Sequence, residues 1–180
     1  MLMNPQQSVL LIIDVQEKLA PFIHGSERVA ANCIWLAEVA TRIGVPIVVT
    51  EHFPEKIGHT LESLRAVTGE AHYVTKQYFS AQADGCLEGT KVSERPQVIV
   101  CGTEAHVCVQ QSALDLRAAG KEVFIVSEAC GSRDPANRDL AFDRMRDHGL
   151  DIVSREMVAF EWLQRGGTDL FRDVNRDFIR

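Results

Sequence analysis

Short apolar runs alternate with helix-period segments along this chain. SVLLII at Ser8–Ile13 is uncharged and too brief for a helix, so it reads as a buried strand. Ser26 stands where it can cap a helix running to about Ile43, and Gly44 is placed to stop it. Residues 45–50 (VPIVVT) are β-branched and predict a second strand. A short helix over 60–67 and a brief strand over 71–75 follow. Residues 97–101 predict a further strand, then a helix to Ala119 closed by Gly120. The EVFIV run at 122–126 is another strand. Asp134-Pro135 opens a helix, a cap followed by proline in the first turn, and Gly149 ends it. A last strand spans 150–153, and Ser154 and Thr168 open two final helices.

Strands that are apolar on both faces and alternate with helices predict a parallel sheet covered on both sides. The fold class expected is α/β: a three-layer α/β/α sandwich around a six-stranded, mainly parallel, Rossmann-like sheet. No repeat, low-complexity tract or linker divides the chain, so residues 1–180 are read as one domain. In such folds ligands bind outside the carboxyl ends of the strands, which directs attention to the residues just past each strand.

Three of those residues carry chemistry. Asp14 follows the first strand within LLIIDVQEKL; alone it reads as readily as a cap or turn residue. Lys76 follows the third strand within VTKQYFSA; alone it reads as a solvated surface charge, although Tyr73, Tyr78 and Phe79 surround it in sequence. Cys108 falls in the first helical turn after VIVCGTEAHVC. Unpaired amides at a helix start would pull its thiol toward or below neutrality; the competing reading is a buried structural thiol. Together they place an acid, a cation and a nucleophile at one sheet edge.

Composition narrows the class. A net charge of −6 lacks the basic face that nucleic acid or an acidic membrane requires, so neither is expected as a partner. The first residues have no basic n-region, and the run at 9–13 is too short for a leader or a membrane span. The five cysteines are odd in number, irregularly spaced and without a CxxC pair. Reduced thiols and a cytoplasmic setting are therefore expected.

LLIIDVQEKL, KQYFSA, CGTEAHVCVQQSALDL and SEACGSRDP together resemble the isochorismatase-like superfamily of cysteine hydrolases, over roughly residues 8–158. That superfamily includes nicotinamidases, N-carbamoylsarcosine amidases and YcaC-type proteins, and the TEHFPEKIGHT segment looks most like the isochorismatase-domain-containing subgroup. The resemblance implies that Cys108 is the nucleophile, Asp14 the general base and Lys76 the cation between them. It implies a cis peptide at Thr103–Glu104, with the Glu104 and Cys108 backbone N–H groups forming an oxyanion hole. It also implies a homo-oligomer (dimer, tetramer or higher) acting on a small-molecule substrate.

Two departures shape the expected activity. True isochorismatases cleave a vinyl ether without a nucleophilic cysteine, so Cys108 favours hydrolysis of an amide or other C–N bond through a thioester. Nicotinamidases carry a D-x-H metal motif; here His52 and Pro54 stand at those positions, and proline offers no ligand. The expectation is therefore no metal and no cofactor. The alternatives are a non-catalytic binding or scaffold protein on the same fold, and a metal-dependent nicotinamidase-like amidase using Glu51, His52 or His59. Gln16, Phe22, Phe79 and Thr103 are candidate pocket residues, with Phe22 equally readable as core. His106 and Arg133 read as structural, through a hydrogen bond and a salt bridge respectively. Cys101 reads as strand filling. The stripe Leu170, Phe171, Val174, Phe178, Ile179 reads as core or subunit contact, and the contact is favoured.

Overall fold

The computed structural model describes residues 1–180. Six strands form one sheet: β1 (Ser8–Ile13), β2 (Ile47–His52), β3 (His72–Lys76), β4 (Gln97–Thr103), β5 (Glu122–Gly131) and β6 (Asp151–Val153). Their order is β3-β2-β1-β4-β5-β6, and every pairing is parallel. The α/β expectation is met, with all strands parallel where only most were expected. The helices are α1 (Ser26–Ile43), α2 (Pro54–Ile57), α3 (Glu62–Arg65), α4 (Ala81–Asp84), α5 (Lys91–Glu94), α6 (Gln110–Ala118), α7 (Pro135–Asp147), α8 (Arg155–Leu163) and α9 (Asp169–Val174). They cover both faces of the sheet.

All six residues of β1 are buried, as a central parallel strand requires. Burying each of Leu10, Leu11, Ile12 and Ile13 stabilises the fold by about 1.5–3 kcal/mol. The chain leaves β1 in one direction across the sheet and β4 in the other. The carboxyl ends of these two neighbours therefore flank the point where strand order reverses, the usual ligand crevice of this topology.

Gly102 makes the close approach there possible. It pairs with Ile13, its φ is +124°, and a Cβ would lie 2.0 Å from the Ile13 carbonyl oxygen. Any side chain would wedge β4 away from β1 beside Asp14.

Several boundaries differ from expectation for local reasons. β2 begins two residues late, because Pro46 has no N–H for the ladder; its carbonyl accepts from Leu10 N at 3.0 Å instead. β5 runs on to Gly131 past a register shift between Val100 and Gly102. Ser26 is the first helical residue of α1 and does not cap it; Gly25, in the left-handed region, holds the cap position. The terminal stripe divides. Val174 is fully buried, and Phe178 packs edge-on against Trp35 of α1, with its carbonyl accepting from Trp35 Nε1 at 2.8 Å. Part of the stripe expected to form a subunit contact is thus committed within the chain, while Leu170 stays exposed.

Candidate active site

Asp14 directly follows β1, with φ at +50°, a left-handed conformation that aspartate tolerates better than most residues. Its side chain is 1% exposed. The Thr50 hydroxyl, from the end of β2, donates to Oδ1 at 2.6 Å. The Thr103 hydroxyl, from the end of β4, donates to the Asp14 backbone carbonyl at 2.7 Å. Asp14 is therefore held from both neighbouring strands.

Lys76 ends β3, and its side chain is fully buried. A buried ammonium persists only with partners. Nζ lies 2.7 Å from Asp14 Oδ2 and donates to the carbonyls of Tyr78 and Phe79, each at 3.1 Å. Asp84 turns that segment toward it by accepting from Gln77 N at 2.8 Å and Tyr78 N at 3.0 Å. The 2.7 Å contact to Oδ2 lacks hydrogen-bond alignment, and Oδ2 is left as a buried acceptor with no hydrogen-bond partner.

Cys108 is 7% exposed and lies in a π-helical turn, Ala105–Val109, that leads into α6. Widened turns of this kind recur at functional sites. The Thr103–Glu104 peptide that enters the turn is cis. The Glu104 backbone N–H has no acceptor among the backbone hydrogen bonds, while its carbonyl accepts from Val107 N and Val109 N. The Glu104 side chain is occupied elsewhere, accepting from Arg133 Nε at 2.7 Å.

The thiol departs from expectation. A helix start was expected to lower its pKa; it is pushed up to about 12. Burial is the largest cause, and the charge of the Asp14 carboxylate adds to it; Lys76 works in the opposite direction. Cys108 therefore rests as a protonated thiol facing a carboxylate.

The remaining candidates separate. Gln16 is committed to backbone: Nε2 donates to the carbonyls of His52 (3.0 Å) and Gly58 (2.6 Å), and Oε1 accepts from His52 N (2.8 Å). It braces the loop after β2, and its amide has no free edge for a substrate. The Thr103 hydroxyl is likewise occupied by Asp14. Phe22 sits on a 3₁₀ turn, Ala20–Phe22, and is 68% exposed, which removes the core alternative. Phe79 is 51% exposed, with its ring 5.5 Å from the His52 imidazole. His106 Nδ1 and the Ser132 hydroxyl are hydrogen-bonded at 2.9 Å. Cys101 is fully buried.

Glu51, His52 and His59 do not converge. Glu51 accepts from Thr60 N (2.8 Å) and Oγ1 (2.9 Å), and lies 3.0 Å from His59 Nδ1. Burial opposes its ionisation, but these hydrogen bonds outweigh that and hold its carboxyl below the usual value. His52 turns instead toward Lys76, its Nδ1 lying 3.5 Å from Nζ. Sequence reasoning gave Thr50 no role and weighed His52 only against a metal motif. A signal was present: TEH follows IVV at the carboxyl end of β2, the same pattern that marked Asp14.

The chain matches the Isochorismatase domain over residues 8–157. It is 32% identical over 175 residues to isochorismatase domain-containing protein 2 of Danio rerio, covering 97% of this chain and 88% of that protein. Among solved structures it resembles the MAR1 ribonuclease of Caenorhabditis elegans, with a TM-score of 0.91, 29% identity, and coverage of 98% and 91%. It also shares the fold of the YcaC gene product of Escherichia coli, an octameric hydrolase of unknown specificity, with a TM-score of 0.89, 22% identity, and coverage of 99% and 91%. A six-stranded parallel sheet, a buried Asp14–Lys76 pair and a cysteine beyond β4 thus stand on a hydrolase fold, and the chain belongs to the isochorismatase family.

Proposed function

We propose that this protein is a metal-independent cysteine hydrolase of a small amide or related C–N substrate, with Cys108, Asp14 and Lys76 as its catalytic groups. The observation that supports this most is the buried Asp14–Lys76 pair, 2.7 Å apart, beside a protonated thiol. A thiol raised to about 12 is a poor nucleophile alone and needs a base in contact with it.

In the proposed cycle Asp14 Oδ2 takes the Cys108 proton as sulfur attacks the amide carbon. The oxyanion accepts from the Glu104 and Cys108 backbone N–H groups; one such donor is worth on the order of 10²–10³ in rate. Lys76 offsets the negative charge at Asp14 before proton transfer and the charge on the intermediate after it. As the C–N bond breaks, the proton on Asp14 passes to the leaving amine. Water then attacks the thioester with Asp14 again as base, releasing a carboxylic acid and restoring the thiol. Phe79 and His52 are the proposed pocket wall. Five free cysteines suit a reducing, cytoplasmic compartment. A homo-oligomer is proposed in keeping with the octameric YcaC neighbour.

Ammonia release from a panel of primary amides and ureides tests the reading. Cys108→Ala is expected to abolish turnover with the fold retained, while Cys101→Ala retains turnover. Activity that survives chelation and extensive dialysis supports independence from metal. Activity of Cys108→Ala equal to the parent protein overturns the nucleophile. Thorough silence of the parent protein on the panel favours a binding role. Cleavage of RNA that survives Cys108→Ala would favour the activity for which the nematode neighbour is named.

A further inference from the structure

The Asp14–Lys76 pair has a third neighbour to which the proposed cycle gives no chemical step. His52 is the last residue of β2, and its register partner in the sheet is Lys76. Its backbone is clamped on both sides by the Gln16 amide. Its ring is held between Phe53, with centroids 4.8 Å apart and edge-on, and Phe79, at 5.5 Å. That mounting leaves Nδ1 3.5 Å from Lys76 Nζ.

We infer that His52 is a positioning residue: its neutral imidazole accepts from Lys76 through Nδ1 and fixes the ammonium against Asp14 Oδ2. An ammonium only donates, so the contact requires a bare Nδ1 and places the imidazole proton on Nε2. Burial first, and the Lys76 charge second, hold the imidazole below its ordinary pKa, which keeps the accepting form populated. Asp14, Asp84 and Glu55 pull the other way and do not prevail. The other acceptors of Lys76 are the Tyr78 and Phe79 carbonyls, both on one short segment after β3. His52 approaches Nζ from the neighbouring strand β2. Without it the ammonium keeps Asp14 and the carbonyls of that one segment as its partners.

The inference rests on the proposed function for its purpose, but its test reads the thiol and not turnover. Lys76 lowers the Cys108 pKa, so a displaced ammonium makes Cys108 harder to ionise. The measurement is the rate of Cys108 alkylation by iodoacetamide at pH 9, followed by peptide mass spectrometry on the intact protein. His52→Phe keeps an aromatic ring between Phe53 and Phe79 and removes the acceptor. It is expected to slow alkylation by about three- to tenfold, the change in thiolate fraction for a shift of half to one pKa unit. His52→Asn places Oδ1 where Nδ1 stands and is expected to recover most of the parent rate. Thermal unfolding of both variants separates loss of fold from loss of positioning. A rate for His52→Phe equal to the parent, or equal slowing in both variants, overturns the inference. A slowed His52→Phe in a protein that hydrolyses no amide would sink the proposed function and leave the positioning role standing.

Discussion

Lys76 and Asp14 meet at 2.7 Å with side chains 0% and 1% exposed, so removing one strands the other as a buried charge. At an effective dielectric constant of about 20, unit charges at that separation attract by about 6 kcal/mol before desolvation is subtracted. Lys76→Met preserves side-chain length and removes the charge. Asp14 then keeps a single side-chain hydrogen bond, from Thr50. The expected loss of unfolding free energy at pH 7 is about 3–5 kcal/mol. Asp14→Asn leaves Lys76 with the Tyr78 and Phe79 carbonyls and His52 Nδ1, and should cost about 2–3 kcal/mol. In the double variant neither charge is stranded, so its loss should fall short of the summed losses by at least about 2 kcal/mol. Urea unfolding followed by Trp35 and Trp162 fluorescence gives the four values, with a constant m-value as the check on two-state behaviour. Cys108 alkylation supplies a second axis with opposite signs. Asp14 raises the thiol pKa and Lys76 lowers it, so Asp14→Asn should accelerate alkylation and Lys76→Met should slow it. Additive losses in urea, or rate changes of the same sign, would refute the picture of one coupled pair acting on one thiol.

Two further outcomes follow from the same geometry. Burial raises the thiols of Cys108 (to about 12) and Cys130, and a hydrogen bond with Cys33, then burial, raises that of Cys101, while the unfolded chain ionises them near about 8.5. Between those values the unfolded state has released protons that the folded state retains, so stability is full below about pH 8.5 and falls as pH rises beyond it. The slope approaches about 1.4 kcal/mol per pH unit for each fully buried thiol. Urea midpoints measured from pH 7 to 10.5 should decline, less steeply in Cys108→Ala; a flat parent profile would show the thiols are not held protonated. Gly102→Ala drives a Cβ to 2.0 Å from the Ile13 carbonyl and should cost more than about 3 kcal/mol. Gly44→Ala has φ +87° but meets nothing within 4 Å, so it should cost only about 1–2 kcal/mol. Equal thermal shifts in the two variants would remove the close-approach argument.

What the sequence discloses about this site follows from what is local. That Asp14, Lys76 and Cys108 lie at one edge was legible because each comes at or after a strand end, and strand ends in this fold class share one edge. The roles of Gln16 and Thr103 were not legible. Both are polar residues near that edge, but their partners, the His52 and Gly58 backbone and the Asp14 carbonyl, lie dozens of residues away. Three four-residue helices, α2, α4 and α5, were too short to show a period. The thiol is the clearest case. The helix-start argument concerns only the turn that contains Cys108 and gives a lowered pKa. The rise comes from burial and from Asp14, ninety-four positions earlier in the chain. That reversal alters the chemistry expected of the site. A thiolate stabilised in advance would need no base, whereas on the proposed function a protonated thiol needs one, and Asp14 Oδ2, paired only with Lys76, is the buried oxygen available for it. On the proposed function, the raised thiol and the Oδ2 that faces Lys76 belong to one step, proton transfer from Cys108 to Asp14.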